Sequence, residues 1–578
     1  MSHGRDRSAR HRSSSDPPTH PATRARAGHG PKTDVPDEAT KQAFETKRQC
    51  VNRLQEGKFF DTGSRYNISK YEAYSHEFKR AYRGGLEGEG AGEPVWSHAA
   101  VEKEFWRIVE TNCEDVTVDY ANDLSTSKYG SGFQHDPEHP WNLNNLHTQP
   151  MSLLKELQCT IPGITHPWLY FGSLFTSFCW HTEDHFLYSI NYMHKGAGKT
   201  WYGIPSNSAD KFEAAMRTFM PETFKNNPDL IYQLVVLLSP SYCIEEGVQV
   251  YHAVQEQGDF IVTFPRAYHG GFSHGFNCAE AVNFAIPDWL SFGSQAIEKY
   301  HKHTGRKACK RSAVFAHDQL LWNLCYQTMR TAHRFSDKVK AGARVVDILQ
   351  ENLPYNVKPY IKSLNDEFDA SVQTEMHLRG WLRHHKVEER TVSFSGYKSE
   401  LCYVCRSRPC FSHIVCTKCK RIACPKHAFY LCDCKVENKH MVCTVVDRSL
   451  NQMNNIIKQL AKDVEHIAPK PLQGNANATK RLAPTMQAGP PPCKHEDAPE
   501  VKEEVKEEGM EEGMGSGGAA AGAVGMVVKS EGVGGGNGNG VAVKTEGGPA
   551  QTPGGDGTES NKVLASVELA SQGGVACN

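Results

Sequence analysis

In the stretch "FCWHTEDHF", Phe178 to Phe186, three residues able to bind a metal, His181, Glu183 and His185, stand at alternate positions inside an aromatic run. Such groups are costly to bury unless something pairs with them, and a metal ion is one such partner. On a strand, alternate residues share a face. The spacing therefore predicts that His181, Glu183 and His185 point one way, and Thr182 and Asp184 the other. His-x-Glu supplies two ligands of a two-histidine, one-carboxylate triad, with the third expected from a neighbouring strand. Such a triad leaves coordination positions open and suits non-haem Fe(II) that activates oxygen. The pair alone is a weak sign, because a core histidine beside an acid explains His-x-Glu more often. Zinc deaminases also carry His-x-Glu, but with a downstream Pro-Cys-x-x-Cys. "PCFSH" at 409–413 lacks that spacing, so this alternative falls away.

The second group able to do chemistry is a cysteine cluster. Of 19 cysteines, nine lie between Cys402 and Cys443. The N-terminus, "MSHGRDRSARHRSSSDPPTHP", lacks the apolar core of a secretory signal, so metal binding is favoured over disulfides. Cys402/Cys405 and Cys416/Cys419 form two Cys-x-x-Cys pairs, followed by Cys424, His427, Cys432 and Cys434. Seven thiols and one imidazole are the eight ligands that two tetrahedral zinc ions need. Spacing does not say which four share an ion. Cys410, His413 and Cys443 are left over, and Cys410 is read as a non-ligand.

These groups need elements to hold them. Residues 160–290 read as strands: "WLYFGSLFTSFCW" and "GDFIVTFPRAYHGGF" are β-branched and aromatic, bounded by Gly and Pro. Helices are expected at 208–218, 292–304 and 315–332, and through 340–390. Leu450, Met453, Ile457, Leu460 and Val464 share one face of an amphipathic helix. Aromatic residues stop at Tyr430, and from about 470 the chain turns to Gly, Ala, Glu and Lys. Such composition buries too little apolar area to offset its ordering entropy. The N-terminal arm is basic and rich in Pro and Ser, a solvated tail with room for a weak nucleic-acid contact or a nuclear import signal. A net charge of −1 predicts no polyanionic partner from charge alone, and no run of 18 apolar residues marks a membrane span.

Further along, "FPRAYHGGFSHGFNCAEAVNFA" places His269 just after a strand. With it the chain resembles the jumonji C (JmjC) oxygenases. More closely, it resembles histone lysine demethylases that carry a C5HC2 zinc finger, the JARID-type group and its plant relatives. The segments that carry the resemblance are "VTVDYANDL", "GSGF", "WNLNN", "PWLYFGSLFTSFCWHTEDHFLYSINYMH", "KTWYGIP", "PDLIYQLV", "FPRAYHGGF" and "GFNCAEAVNFAIPDWL", in family order. The resemblance implies a mainly β catalytic domain, a cupin-like double-stranded β-helix (jelly roll) with flanking helices. A helical domain and a small two-zinc C5HC2 finger follow, between disordered termini. The expected boundaries are a basic arm at 1–45, an N-terminal part of the catalytic region at 46–134 and the JmjC domain at 135–301. After these come a helical domain at 302–398, the finger at 399–450, an amphipathic helix at 451–468 and a disordered tail at 469–578.

The same resemblance assigns roles. His181, Glu183 and His269 match the Fe(II) ligands, which leaves His185 a supporting or packing residue. The co-substrate is 2-oxoglutarate. Lys199 and Tyr120 match the residues that receive its far carboxylate, and an ammonium facing into a barrel has need of an anion. Asn191 and Ser189, taken to lie on the strand of Glu183 with the same parity, face the same cavity; Asn191 matches a residue contacting 2-oxoglutarate, and Phe178 and Trp201 match the aromatic walls. Gly163, Trp168, Tyr170, Ala281 and Asn283 match the methyl-lysine pocket. Cys402, Cys405, Cys416, Cys419, Cys424, His427, Cys432 and Cys434 match two zinc sites in the C5HC2 order.

The implied activity is oxidative demethylation of a histone, most closely lysine 4 of histone H3, in the nucleus, with release of formaldehyde and succinate. The partners are the histone H3 tail and the nucleosome. Lysines and arginines around the finger leave room for DNA or chromatin-complex contacts, although its first role is to staple short, apolar-poor loops. In the tail, "VKEE", "VKEE", "VKSE" and "VKTE", centred on Lys502, Lys506, Lys529 and Lys544, resemble SUMO attachment sites. No jumonji N segment is recognised in 1–60, and no ARID module or PHD finger. The family's "HWGEPK" is "HKGAGK" at His194–Lys199, which exchanges a Trp for Lys195 and a proline for Gly198. The rival readings are an inactive JmjC chromatin scaffold and an oxygenase acting on a non-histone protein.

Overall fold

A computed structural model describes residues 33–87, 96–157, 159–228, 230, 235–302, 312–393, 400–434 and 440–467, and the backbone of 525–529. The strands are β1 (Phe44–Cys50), β2 (Asp61–Tyr66), β3 (Thr117–Ser125), β4 (Trp168–Gly172), β5 (Ser177–His181) and β6 (Tyr188–Gly196). They continue with β7 (Lys199–Ile204), β8 (Tyr251–Gln255), β9 (Asp259–Thr263), β10 (Tyr268–Ser273) and β11 (Asn277–Phe284). Four more follow: β12 (Glu388–Ser393), β13 (Ser412–Cys416), β14 (Ile422–Ala423) and β15 (Met441–Asp447). The last is β16 (Gly525–Lys529).

Two antiparallel sheets make the main body, in agreement with a jelly roll. The larger runs β16-β9-β6-β11-β4-β3-β1-β2, the smaller β5-β10-β7-β8. In the larger sheet β6 is buried on both faces from Tyr188 to His194, which is why "YSINYMH" alternates so little. The outer face of the smaller sheet carries Trp180, Tyr202 and Phe272 into a core with the helix His98–Thr111. There Phe105 stacks on Phe272 with centroids 3.9 Å apart.

On the outer face of the larger sheet, Glu280 of β11 and His194 of β6 are wholly buried and 2.9 Å apart. Glu280 also accepts from Ser131 Oγ, the Gly132 N–H and Asn144 Nδ2. Buried carboxylates persist only when so satisfied. The network fastens the segment "GSGF…WNLNN" over the sheet.

The expected helices appear at Ala209–Phe219, Leu290–Lys302, His317–His333 and Leu450–Asp463. The 340–390 region resolves into the helices Val345–Asn352 and Val357–His384. Leu450, Met453, Ile457, Leu460 and Val464 are all buried in one core with Leu364, Phe368 and Val372. Each such side chain contributes roughly 1.5–3 kcal/mol by leaving water.

Three sequence expectations change. The basic arm is not featureless to residue 45: Asp37–Lys41 is helical, Ala39 is buried, and the Asp34 N–H donates to Gly132 O. The 398 boundary cuts a sheet, because β12 pairs in parallel with β15 in the order β12-β15-β13-β14. Its sequence, "EERTVS", gives no alternating signal, and only the partner strand makes it β. In the tail, β16 pairs with β9 from Gly525 opposite Thr263 to Lys529 opposite Asp259. Lys502, Lys506 and Lys544 lie outside the described residues. Among those described, no helix is long and apolar enough to cross a membrane.

Candidate metal and co-substrate site

The smaller sheet brings two histidines together. His181 at the end of β5 lies directly opposite His269 of β10, and their ring centroids are 4.2 Å apart. His181 Nδ1 lies 2.7 Å from Cys179 O and His269 Nδ1 lies 3.1 Å from Ala267 O. Donation to these carbonyls places the lone pair of each ring on Nε2, the arrangement that orients histidine toward a metal. Glu183 Oε1 stands 3.3 Å from His269 Nε2. One donor atom from each of His181, Glu183 and His269 lies within 4.8 Å of the others. Burial pushes the Glu183 carboxyl up, but His269 and His181 outweigh it and hold the group well below the ordinary carboxylate range.

The alternation read from the sequence fails beyond His181. The strand ends there, and Glu183 precedes a single 3-10 turn, Asp184–Phe186, with His185 at φ 53°. His185 therefore does not face the triad. It is wholly buried and stacked on Phe315. Ser189 and Asn191 are not on the strand of Glu183 either, since they belong to β6.

A β-bulge explains a second irregularity. His269 pairs with His181 but Gly271 pairs with Phe178, so β5 has one residue more than β10 between these pairs. The extra residue lets Phe178 and His181 share the inner face while Trp180 turns to the outer core. The strands also approach closely. A Cβ on Gly271 would stand 2.0 Å from Thr200 O, so only glycine fits.

Beside the triad lies an unmatched cation. Lys199 of β7 is 2% exposed, and its Nζ has no hydrogen bond or ion pair among the described residues. The Phe178 ring lies beside it, with the centroid 5.7 Å from Nζ. Burial pulls its pKa down to about 8. Trp201, on the same strand face, packs edge-on against Phe178 at 4.6 Å and lies 6.1 Å from His269. Tyr120 of β3 is buried, which raises its phenol far above the ordinary value. Its hydroxyl has no hydrogen-bond partner among the described residues. An orphaned ammonium, a free phenol and two aromatic walls next to open metal positions fit a dicarboxylate that chelates the metal at its other end.

Ser189 Oγ is 2.5 Å from Thr263 Oγ1 across β6–β9. Asn191 Oδ1 accepts from Gln255 Nε2 at 3.0 Å, and Gln255 Oε1 accepts from Trp201 Nε1 at 3.0 Å. Gln255 is fully buried and ties the larger sheet to the smaller beside the pocket. The sequence reading missed it, for its neighbours "YHAV" carry no signal that it would bridge two sheets.

The remaining expected residues gather on the larger sheet. Ala281 lies opposite Asn191 and Trp168, and Asn283 opposite Ser189. The Asn283 N–H donates to Gly163 O at 2.9 Å, and Gly163 (φ 80°) sits against the Trp168 ring. Tyr170 OH donates to Asp123 Oδ1 at 3.3 Å. Asp123, also missed, takes a left-handed backbone (φ 58°). Desolvation and the charge of Glu183, against Lys47 and Tyr170, leave its carboxyl at about 6.

The cysteine cluster divides into two sets of four: Cys402, Cys405, Cys424 and His427, all buried, and Cys416, Cys419, Cys432 and Cys434, nearer the surface. The sets interleave along the chain, so successive ligand pairs alternate between the two. Cys424 Sγ lies 3.8 Å from Cys405 Sγ and 3.1 Å from His427 Nδ1. Four converging soft donors fit tetrahedral zinc. Cys410 and Cys443 are buried outside both sets.

Comparison with known proteins agrees with this geometry. Residues 168–284 match the family model described as "JmjC domain, hydroxylase". The chain is 38% identical over 344 residues to lysine-specific demethylase JMJ703 of Oryza sativa subsp. japonica, covering 54% of this chain and 27% of the relative. It is 41% identical over 289 residues to lysine-specific demethylase JMJ17 of Arabidopsis thaliana, covering 47% and 23%. It is 36% identical over 380 residues to lysine-specific demethylase 5B of Gallus gallus, covering 63% and 23%. The chain thus spans about a quarter of the length of these curated relatives. Residues 168–284 read as a JmjC hydroxylase domain, set in a longer stretch similar to lysine-specific demethylases.

Proposed function

We propose that the protein is an Fe(II)- and 2-oxoglutarate-dependent dioxygenase that demethylates histone lysine, with lysine 4 of histone H3 as the first candidate. The observation that carries this reading is the convergence of His181, Glu183 and His269 beside the buried Lys199, which has no ion-pair partner among the described residues. When bound, the ferrous ion and 2-oxoglutarate supply the oxidation that removes the methyl group as formaldehyde. The protein's own residues do the rest. His181, Glu183 and His269 hold the metal by three ligands and leave its other positions open. Lys199 and Tyr120 receive the far carboxylate of the co-substrate, while Phe178 and Trp201 exclude water around its chain. Gly163, Trp168, Tyr170, Ala281 and Asn283 line the approach for a methylated ammonium, which favours aromatic faces and oxygen atoms. Two zinc ions in the cysteine sets brace the C-terminal unit. Histone H3 in the nucleosome is the partner and the nucleus the location that this substrate requires.

Purified protein given Fe(II), 2-oxoglutarate and methylated H3 peptides tests the reading. Formaldehyde from the lysine-4 peptide is the expected result. Turnover of another histone lysine leaves the activity and moves the substrate. Iron binding without any turnover would count for a scaffold.

A further inference from the structure

His185 takes no part in the triad, yet it sits in the loop that carries Glu183. That loop, 182–187, leaves β5 and enters β6, and both His185 and Phe186 adopt a left-handed backbone, at φ 53° and 52°. Non-glycine residues hold such a conformation only where their surroundings over-determine it. Here the surroundings come from the chain after the barrel. The His185 N–H donates to Tyr300 Oη at 3.0 Å, and Trp289 Nε1 donates to His185 O at 3.0 Å. The imidazole lies flat on Phe315, with centroids 3.8 Å apart and planes at 10°. Tyr300 meets it edge-on at 5.7 Å. Trp289 immediately precedes the helix Leu290–Lys302, Tyr300 lies in its last turn, and Phe315 precedes the helix His317–His333. Leu187, Trp289 and Phe315 share one core with the long helix Val357–His384. Within the loop, the Phe186 N–H donates to Glu183 O at 3.1 Å, so the fastened residues are tied directly to the carboxylate's backbone.

We propose that His185 is a positioning residue. Clamped by Trp289, Tyr300 and Phe315, it fixes where the Glu183 carboxylate stands, and through it the helical unit after the barrel sets the geometry of the metal site. This rests on the reading of His181, Glu183 and His269 as a metal site.

The test is metal affinity, measured calorimetrically with Mn(II) on the zinc-loaded full chain. Trp289→Phe with Tyr300→Phe removes the two hydrogen bonds and leaves an aromatic ring at each position. Phe315→Leu removes the stack and serves as the second variant should the double substitution fold poorly. Tyr360→Phe is the control: it removes a hydroxyl contact to Thr328 in the same helical core, 3.1 Å in length, and Tyr360 has no hydrogen bond or ring contact with residues 182–187 among the described residues. The expected result is Mn(II) binding weakened about fivefold or more in both clamp variants, and more 2-oxoglutarate consumed per formaldehyde released. The control shows a lowered melting temperature with affinity unchanged. Unchanged affinity in both clamp variants overturns the proposal, as does an equal loss in the control. If the parent protein binds no Mn(II) that His269→Ala abolishes, the metal reading itself fails, and the clamp with it.

Discussion

Lys199 is the residue at which electrostatics and function meet. A buried ammonium without a carboxylate costs stability, and the cost is relieved when an anion arrives. Substitution Lys199→Met is expected to raise the KM for 2-oxoglutarate about tenfold to a hundredfold, the worth of one charge-assisted contact, with the fold retained by circular dichroism. The pH dependence has a definite sign. Burial lowers this ammonium from 10.5 to about 8 in the folded protein. Between those values the unfolded chain holds more protons than the native one, so this group makes the ligand-free protein more stable as pH rises through the window. Conversely, the KM for 2-oxoglutarate should climb above pH 8 as the ammonium is lost. Melting temperatures across that range, with and without the co-substrate, would check both. A flat KM profile to pH 10 would speak against a cationic Lys199 as the carboxylate's partner.

Gln255 makes a similar point for neutral groups. Its replacement by Leu leaves Asn191 Oδ1 and Trp201 Nε1 without their partner. Burying them so should cost about 2 kcal/mol or more in urea unfolding.

At the scale of elements, the site depends on departures from regular strand geometry. The bulge in β5 turns Phe178 and His181 to one face, and Gly271 lets β10 slip between β5 and β7. Gly271→Ala would push a methyl into Thr200 O, so the expected outcome is a protein that neither folds stably nor binds metal, visible as loss of the cooperative melting transition. The clasp on the other sheet is equally testable. Glu280→Ala strands the donors of Ser131, Gly132, Asn144 and His194. A loss of about 3–5 kcal/mol follows from removing one partner of a buried, fully bonded group. Hydrogen exchange should localise the loosening to 131–146.

Across the whole molecule, the cysteine-rich unit and the helices form one body. Cys410 and Phe411 pack in the helical core. β12, which follows the helix Val357–His384, completes the sheet of β15, β13 and β14. Loss of zinc should therefore be felt beyond the finger. Metal analysis is expected to give about two zinc ions per chain. A strong chelator should lower the melting temperature of the whole protein rather than produce a separate early transition. An independent low-temperature transition would show that the finger is a detachable module. Through the His185 clamp, the same loosening should reach the metal loop of the barrel.

The sequence by itself determined the inventory: His181, Glu183 and His185 as groups able to bind a metal, eight groups able to hold zinc, and the windows of helical period. These are local properties, set by residue type, spacing and apolar periodicity. The amphipathic helix at Leu450–Asp463 was legible because one face repeats at helical period. Only the tertiary structure decided the rest. Strand parity carried from His181 to His185 failed because the strand stops where contacts from Trp289, Tyr300 and Phe315, more than 100 residues away in sequence, impose a turn. Gln255 and Asp123 were invisible because their partners sit on other strands. The pairing of the zinc ligands was open because interleaved and sequential schemes use the same spacing. In each case the deciding contact joins residues far apart in the chain, and a one-dimensional pattern holds no record of such a distance.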